Sequence, residues 1–215
     1  MDDVDERTQL RLARKARRQD KKRQSILAAA RAVLTASGLE GMTTAAVAEA
    51  ADISAPTLYY YYPSRQSLVD ALALSLLRED VERIEAAVAQ VVDPVDALVA
   101  MVRVHVRHHV AQPAHYFLYE GISRAGLSQE VLVTGIYPLS KRLNDRLEER
   151  LIAGQAAGLV HPEVRPRPLA NAAWCMAQGL LVTALSFVRS GGQLRFPVED
   201  LLDETCANLI RGARP

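Results

Sequence analysis

The sequence predicts an all-α fold, and three observations carry that expectation. Of 215 residues 49% are hydrophobic but only 5% aromatic, so the interior must be built from Ala, Leu and Val, as helix-on-helix packing requires. Apolar residues recur at helical spacing in segment after segment, and no run alternates with period two long enough to make a sheet. Stop signals such as Gly38, Pro63, Pro113 and Gly154 to Gly158 separate the helical segments, of which about nine are expected in total.

The first clear helix carries Ile26, Leu27, Ala30, Val33 and Leu34 on one face and stops at Gly38. Thr43 is a good N-cap for the next, where Val47, Ala48 and Ala51 form a short apolar stripe of about two turns. Asp52-Ile53 breaks it. Ser54 caps a third helix, Ala55-Pro56 occupy its first turn, where a missing N–H is harmless, and Pro63 ends it. Helices this short are unstable alone and must pack on the one before them. Leu58 and Tyr62 then plug a three-helix core, leaving Ala55, Pro56, Thr57, Tyr59, Tyr60 and Tyr61 facing mostly outward. A surface of one Pro, one Thr and three Tyr suits a partner with methyl groups, base edges and phosphate oxygens.

Longer helices follow. Ser64 caps one running to about Gln90, and Asp93-Pro94 with Asp96 starts another that ends before Pro113. A short helix covers His115 to about Ile122. Ser128 begins a long one whose Leu139, Leu143, Leu147 and Leu151 step along one face, with Pro138 as a kink. Leu169 to Val188 carries no charge and has the length of a membrane span. Its Asn171, Gln178, Thr183 and Ser186, and its wealth of Ala, argue instead for a soluble core helix, so no membrane partner is expected. A helix apolar all round needs cover on both sides. Val198 to Arg211 supplies some of it, and two such helices from each of two chains make a four-helix bundle about a two-fold axis. The expected homodimer seam comprises Leu181, Ala184, Leu185, Val188, Leu202, Cys206 and Leu209.

The net charge of +1 hides an uneven distribution. Arg7, Arg11, Arg14, Lys15, Arg17, Arg18, Lys21, Lys22 and Arg23 stand against the single anion Asp20 over that stretch, whereas residues 24–215 hold 17 cations and 20 anions. Such an arm can lie along phosphates or enter a minor groove, with counterion release making its contribution steeply salt-dependent. The alternative is a solvated, frayed tail over Met1 to Gln19.

From Arg23 to about Leu72 the chain resembles the tetracycline-repressor (TetR) family of bacterial transcription regulators. The resemblance rests on the Ile26-Leu27 and Ala29-Ala30 pairs, Gly38, Thr43-Thr44, Val47-Ala48, Ala50-Ala51, Ile53-Ser54, Thr57-Leu58-Tyr59, Tyr61-Tyr62, Ser64-Arg65 and Leu68, all in register. It implies a basic arm over 1–20, a helix-turn-helix domain over 21–68, and a helical ligand-binding and dimerisation domain over 69–215. It also implies two recognition helices in successive major grooves of a near-palindromic double-stranded operator, with half-sites roughly 34–36 Å apart or a multiple of that. A small-molecule effector is expected to release the dimer, which would make the protein a repressor. The alternative is a constitutive or architectural dimeric DNA binder without an effector.

Carried over residue by residue, the resemblance assigns Thr57, Tyr59 and Tyr61 to phosphates or adjacent bases and Arg65 to the DNA backbone. Thr44, Ala45, Ala55, Pro56 and Tyr60 match base-facing positions, while Thr43, Lys22 and Arg23 border them. Ala45 and Ala55 stand where many relatives carry longer polar side chains, and neither can donate a hydrogen bond from its side chain. Readout then leans on apolar contact with thymine methyls, which favours A·T pairs in the contacted core. The effector site falls among the middle helices, with Met101, His105, His109, Tyr116, Tyr119, Tyr137, Trp174 and Gln178 as candidates.

Other chemistries find little support. There is no Gly-rich phosphate loop, nucleophile elbow or paired acid constellation, so no enzyme activity and no cofactor are expected. His105, His108 and His109 have a spacing that could hold a metal, but no Cys or acid stands beside them in the helix, and no metal role is assigned. Cys175 and Cys206 read as buried small hydrophobes in a cytoplasmic protein without a secretion signal. Deleting residues 1–18 is expected to weaken operator binding and flatten its slope against log[salt] without changing the preferred sequence, because phosphate contacts position and base contacts specify. Salt-dependent fluorescence anisotropy measures both quantities.

Overall fold

The computed structural model describes residues 2–192 and 194–215, with side chains described from residue 9 onward except Gln193. Arg7 of the basic arm therefore lies outside the described side chains. The described secondary structure is entirely helical, in the order α1 (Asp2–Gly41), α2 (Thr44–Ala50), α3 (Ala55–Tyr61), α4 (Arg65–Ala89), α5 (Pro94–Ala111) and α6 (Pro113–Ala125), followed by α7 (Gln129–Val131), a π-helical turn (Leu132–Ile136), α8 (Tyr137–Ala156), α9 (Pro166–Arg189) and α10 (Val198–Ala213). Since α7, the π turn and α8 run on without interruption, the elements make nine helical segments. They group into two compact units, residues 1–73 with 120–128, and residues 74–119 with 129–215.

In the first unit Ile26, Ala30 and Leu34 of α1 meet Met42, Val47, Ala48, Leu58, Tyr62, Leu68 and Leu72 in a closed core. The capping expected from the sequence is present: Thr43 accepts the Ala46 N–H at 3.1 Å, and Ser54 accepts that of Thr57 at 3.4 Å. Between α2 and α3 the chain reverses at Asp52, whose φ of 49° is a left-handed conformation that Asp tolerates better than most residues. Upstream, α1 extends as helix from Asp2, so the basic arm is not a frayed tail. Gly38, at φ 68°, kinks α1 where the sequence predicted its end. Asp70 is buried and accepts Gln66 Nε2 at 2.8 Å and the Ser128 N–H at 3.1 Å, tying 120–128 to the start of α4.

In the second unit α5 is central, packing on α8, α9 and α10. Its Val95, Leu98, Val102 and Val106 are buried with Leu139, Leu143, Leu147 and Leu151 of α8 and with Ala170, Ala173, Ala177 and Leu181 of α9. The small residues of α9 that face inward let helices approach closely, which is why this uncharged helix is rich in Ala. By length and composition α9 is long and apolar enough to cross a membrane, and its inward face is built into this core. The expected kink at Pro138 resolves differently: Pro138 sits in the first turn of α8, and the irregularity is the π turn just before it. Arg150 reaches the carbonyls of Val88, Val91 and Val92, capping the C-terminal end of α4.

The homodimer seam expected from the sequence needs correction. Leu181, Ala184, Leu185, Leu202, Cys206 and Leu209 are all buried within their own chain, and only Val188, 58% exposed, remains outside. These residues do form the inner apolar stripes of α9 and α10, but those stripes close the subunit itself. The outer side of α9 carries Cys175, Met176, Gly179, Val182 and Phe187 instead, so Cys175 is exposed rather than buried.

Two glycines test this packing. A Cβ at Gly154 would stand 2.5 Å from Pro94 Cγ and 2.8 Å from Val160 Cγ2, whereas one at Gly212 meets nothing within 4 Å. Gly154→Ala should therefore destabilise the fold by about 1–3 kcal/mol. Gly212→Ala should be neutral or stabilise by up to about 1 kcal/mol, both read from urea unfolding midpoints.

Candidate nucleic-acid interface and ligand cavity

Because Leu58 and Tyr62 face the core, the remaining α3 side chains are turned out by helix geometry alone. Tyr60 is 67% and Tyr59 47% exposed, and Ala55 and Pro56 are exposed beside them. The face is ordered from within. Tyr59 Oη lies 3.1 Å from Thr44 Oγ1, and Thr57 Oγ1 lies 2.8 Å from Ser54 Oγ. Tyr60 and Tyr61 stand edge to face at 5.1 Å, and Gln19 of α1 donates to the Tyr60 hydroxyl at 3.3 Å. Tyr62, by contrast, is buried and donates to the Arg23 carbonyl at 3.5 Å, and burial pushes its hydroxyl pKa up. Ala45 and Arg23 are exposed, and Thr44 and Lys22 are half-buried.

Arg65, expected at the DNA backbone, is engaged within the chain. Its Nε donates to the Met42 carbonyl at 3.0 Å, and its Nη2 donates to the Leu39 carbonyl. The guanidinium thus pins the first turn of α4 to the corner between α1 and α2, a positioning role that sequence spacing cannot reveal.

The second unit encloses a cavity of about 190 Å³. Of the eight candidates from the sequence, His105, His109, Tyr116, Tyr119, Trp174 and Gln178 line it. Met101 does not, being fully buried on another face of α5, and neither does Tyr137, which is 58% exposed. The sequence reading missed Asp80, Leu76, Leu77 and Val81 from α4, His115 from α6, and Ser140, Leu143 and Asn144 from α8. For Asp80 the only available signal was an acid on an otherwise apolar stripe of α4.

Asp80 organises the polar end. Its Oδ2 lies 2.8 Å from His105 Nδ1, and its Oδ1 lies 3.5 Å from His109 Nε2 and 3.3 Å from Arg83 Nη1. His105 in turn reaches Gln178 Oε1 through Nε2 at 3.2 Å and stacks against Trp174 at 4.4 Å. Burial alone would raise the Asp80 pKa, but hydrogen bonds from both histidines and their charge hold it well below the usual carboxylate range. His108 is pushed down to about 4, first by burial and then by the positive charge of Arg83, His109 and His115. His105 and His109 are buried beside a carboxylate that α4 supplies and the sequence of α5 does not contain. Two groups have donor atoms within 4.8 Å of one another, Asp80 with His105 and His109, and His108 with His109 and His115. Burial raises the Cys206 pKa, which keeps that thiol inert.

Residues 26–72, which contain the α1–α3 core, match the model described as bacterial regulatory proteins, tetR family. Over this segment the chain is similar to that family. The match covers α2 and α3, which stand as a helix-turn-helix pair, and the chain spans about a quarter of the length of the curated relatives it matches. The chain is 38% identical over 55 residues to the class D tetracycline repressor protein of Escherichia coli, a match spanning 26% of this chain and 25% of that protein. Its fold is similar to a protein of unknown function from Rhodococcus sp. RHA1, with TM-score 0.71 and 22% identity over 90% of this chain and 96% of the other. It is also similar to the transcriptional regulator FadR from Bacillus subtilis, solved in complex with stearoyl-CoA, with TM-score 0.69 and 15% identity over 88% and 98% of the two chains.

Because the tyrosines of α3 serve different purposes, substitutions should separate. Tyr60→Ala should shift stability by no more than about 0.5 kcal/mol. It should nevertheless weaken operator binding by roughly tenfold, the low end of the range for one good base contact. Leu58→Ala should cost about 2–5 kcal/mol of stability. Thermal melts and DNA anisotropy on both variants make the comparison.

Proposed function

We propose that this protein is a repressor that binds a near-palindromic operator as a homodimer and leaves it when a small molecule enters the cavity of the second unit. The observation that carries the reading is the outward Ala55–Tyr61 surface of α3, held by its neighbours yet not covered by them. Thr44, Ala45, Pro56 and Tyr60 meet base edges, Thr57, Tyr59 and Tyr61 meet phosphates, and the cations of the arm on α1 add sequence-independent attraction. Acting on operator DNA places the protein in the cytoplasm.

The dimer seam moves to the outer face of α9. Met176, Gly179, Val182, Phe187 and Val188 offer a strip of apolar and small side chains to a second copy. The effector has an apolar body and a polar end. Leu76, Leu77, Val81 and Leu143 supply one side of its cavity, and Ser140, Asn144, Gln178 and the histidines supply the other. The stearoyl-CoA bound by Bacillus subtilis FadR makes acyl thioesters the first class to screen.

Selection from random duplex DNA should enrich one two-fold-symmetric sequence with A·T pairs at its contacted core, and sedimentation should give a dimer. A true effector at 100 times its dissociation constant should add about 2.7 kcal/mol to folding stability and lower operator affinity. An enriched sequence without symmetry would overturn the dimeric reading. A broad screen without a stabilising compound would favour the constitutive DNA binder.

A further inference from the structure

We propose that His108, His109 and His115 form a binding site for a divalent transition cation of the zinc class, with Asp80 orienting His109. Four of the five histidines of the chain gather at the corner where α5 passes into α6. The rings of His108, His109 and His115 form a triangle with centroid separations of 5.0, 5.1 and 5.3 Å. Packing three imidazoles this closely, with hydrophobic alternatives available to any core, calls for a group that uses their nitrogens.

Hydrogen-bond accounting points to where that group sits. His105 Nε2 is hydrogen-bonded to Gln178, while its buried Nδ1 stands 2.8 Å from Asp80 Oδ2 without hydrogen-bond geometry, and Asp80 also faces Arg83 at 3.3 Å. His109, with only 5% of its side chain exposed, turns Nε2 toward Asp80 at 3.5 Å, while its Nδ1 is buried without a hydrogen-bond partner. His108 Nε2 is buried in the same condition. Buried polar atoms without partners are rare enough that each one calls for a reason. When Nε2–H faces the carboxylate, the lone pair is left on Nδ1, the carboxylate–histidine–metal arrangement that fixes tautomer and ring orientation at metal centres. Asp80, already charge-paired with His105, His109 and Arg83, is thus the support, and the three-histidine group on the other side of His109 is the site.

The surroundings favour a cation of this class. Glu79 Oε2 lies 3.7 Å from His115 Nε2, and with Asp80 it outweighs the single cation Arg83. His108 and His109 stand in the last turn of α5, the negative end of its dipole. Three imidazoles suit Zn²⁺, Co²⁺, Ni²⁺ or Cu²⁺ rather than Mg²⁺ or Ca²⁺, which prefer oxygen. The donor atoms lie within 4.8 Å of one another, and tetrahedral bonds of about 2.0–2.1 Å bring them to about 3.4 Å apart, a closure within reach of side-chain rotation.

The experiment uses the full untagged chain, stripped with chelator, without DNA or effector, so its outcome is independent of the repressor reading. Equilibrium dialysis with Zn²⁺ should give one ion per chain, Co²⁺ should develop the visible absorption of tetrahedral nitrogen ligation, and Mg²⁺ should not compete. His108→Asn and His115→Gln should each weaken Zn²⁺ at least tenfold and abolish the Zn²⁺-induced rise in melting temperature. Asp80→Asn, acting through His109, should weaken Zn²⁺ by about 10–100-fold. Its Co²⁺ spectrum at saturation should be altered rather than lost. His161→Gln, outside the cluster, should bind as the parent does. Melting of each metal-free variant reports its folding, and if His108→Asn fails to fold, His115→Gln decides alone. Absence of stoichiometric Zn²⁺, or Zn²⁺ binding undiminished in a folded His115→Gln, would overturn the site.

Discussion

Two helices of seven residues cannot support themselves, and that constraint governs the first unit of the molecule. Nucleating a helix costs more than two turns return, so α2 and α3 persist because Val47, Ala48, Leu58 and Tyr62 are buried against α1 and α4. The same burial decides what is left outside. Once Leu58 faces inward, the helical period places Ala55, Tyr59 and Tyr60 in solvent, so the reading surface is the complement of the core. Arg65 and the caps at Thr43 and Ser54 then set the angle at which this surface is offered.

A different constraint shapes the second unit. An ionised carboxylate inside a helical bundle is tolerated only if donors surround it, and Asp80 has three, His105, His109 and Arg83. Each donor is thereby oriented, and the orientation passes outward to Gln178 and Trp174 on one side and to the His108–His115 corner on the other. The cavity inherits its polar end from this arrangement and its apolar side from the Leu stripe shared by α4 and α8.

The parts of this architecture that depend on local sequence were legible in it. Caps at Thr43, Ser54 and Asp93, the stop at Pro63, and the apolar periods of α1 and α8 are short-range signals, and the helices follow them, with Gly38 marking a kink. What depended on distant pairing was not legible. Nothing near His105 announces Asp80, which is 25 positions earlier on another helix, and nothing near Arg65 announces the carbonyls of Leu39 and Met42. The seam residues failed for a related reason: α9 is apolar on every side, so periodicity cannot say which side faces its own core. Only α5 and α8 decide that, by occupying the face of Ala170, Ala173 and Ala177. Tyr137 was drawn into the effector list by residue type alone, and the first turn of α8 points it to solvent.

The helical continuity of α1 upstream of Gly38 has a consequence for how its charge works. A helical backbone lines up Arg11, Arg14, Lys15, Arg18 and Lys22 along one edge, about 1.5 Å of rise per residue, instead of dispersing them through a random coil. Such a rod approaches a polyanion with its conformational entropy already lost, so it cannot reach out and capture DNA from afar as a loose tail would. On the proposed operator such a rod would sense the direction of the duplex, and a helix-breaking residue in its middle would turn an aligned ruler of charge into a diffuse cloud.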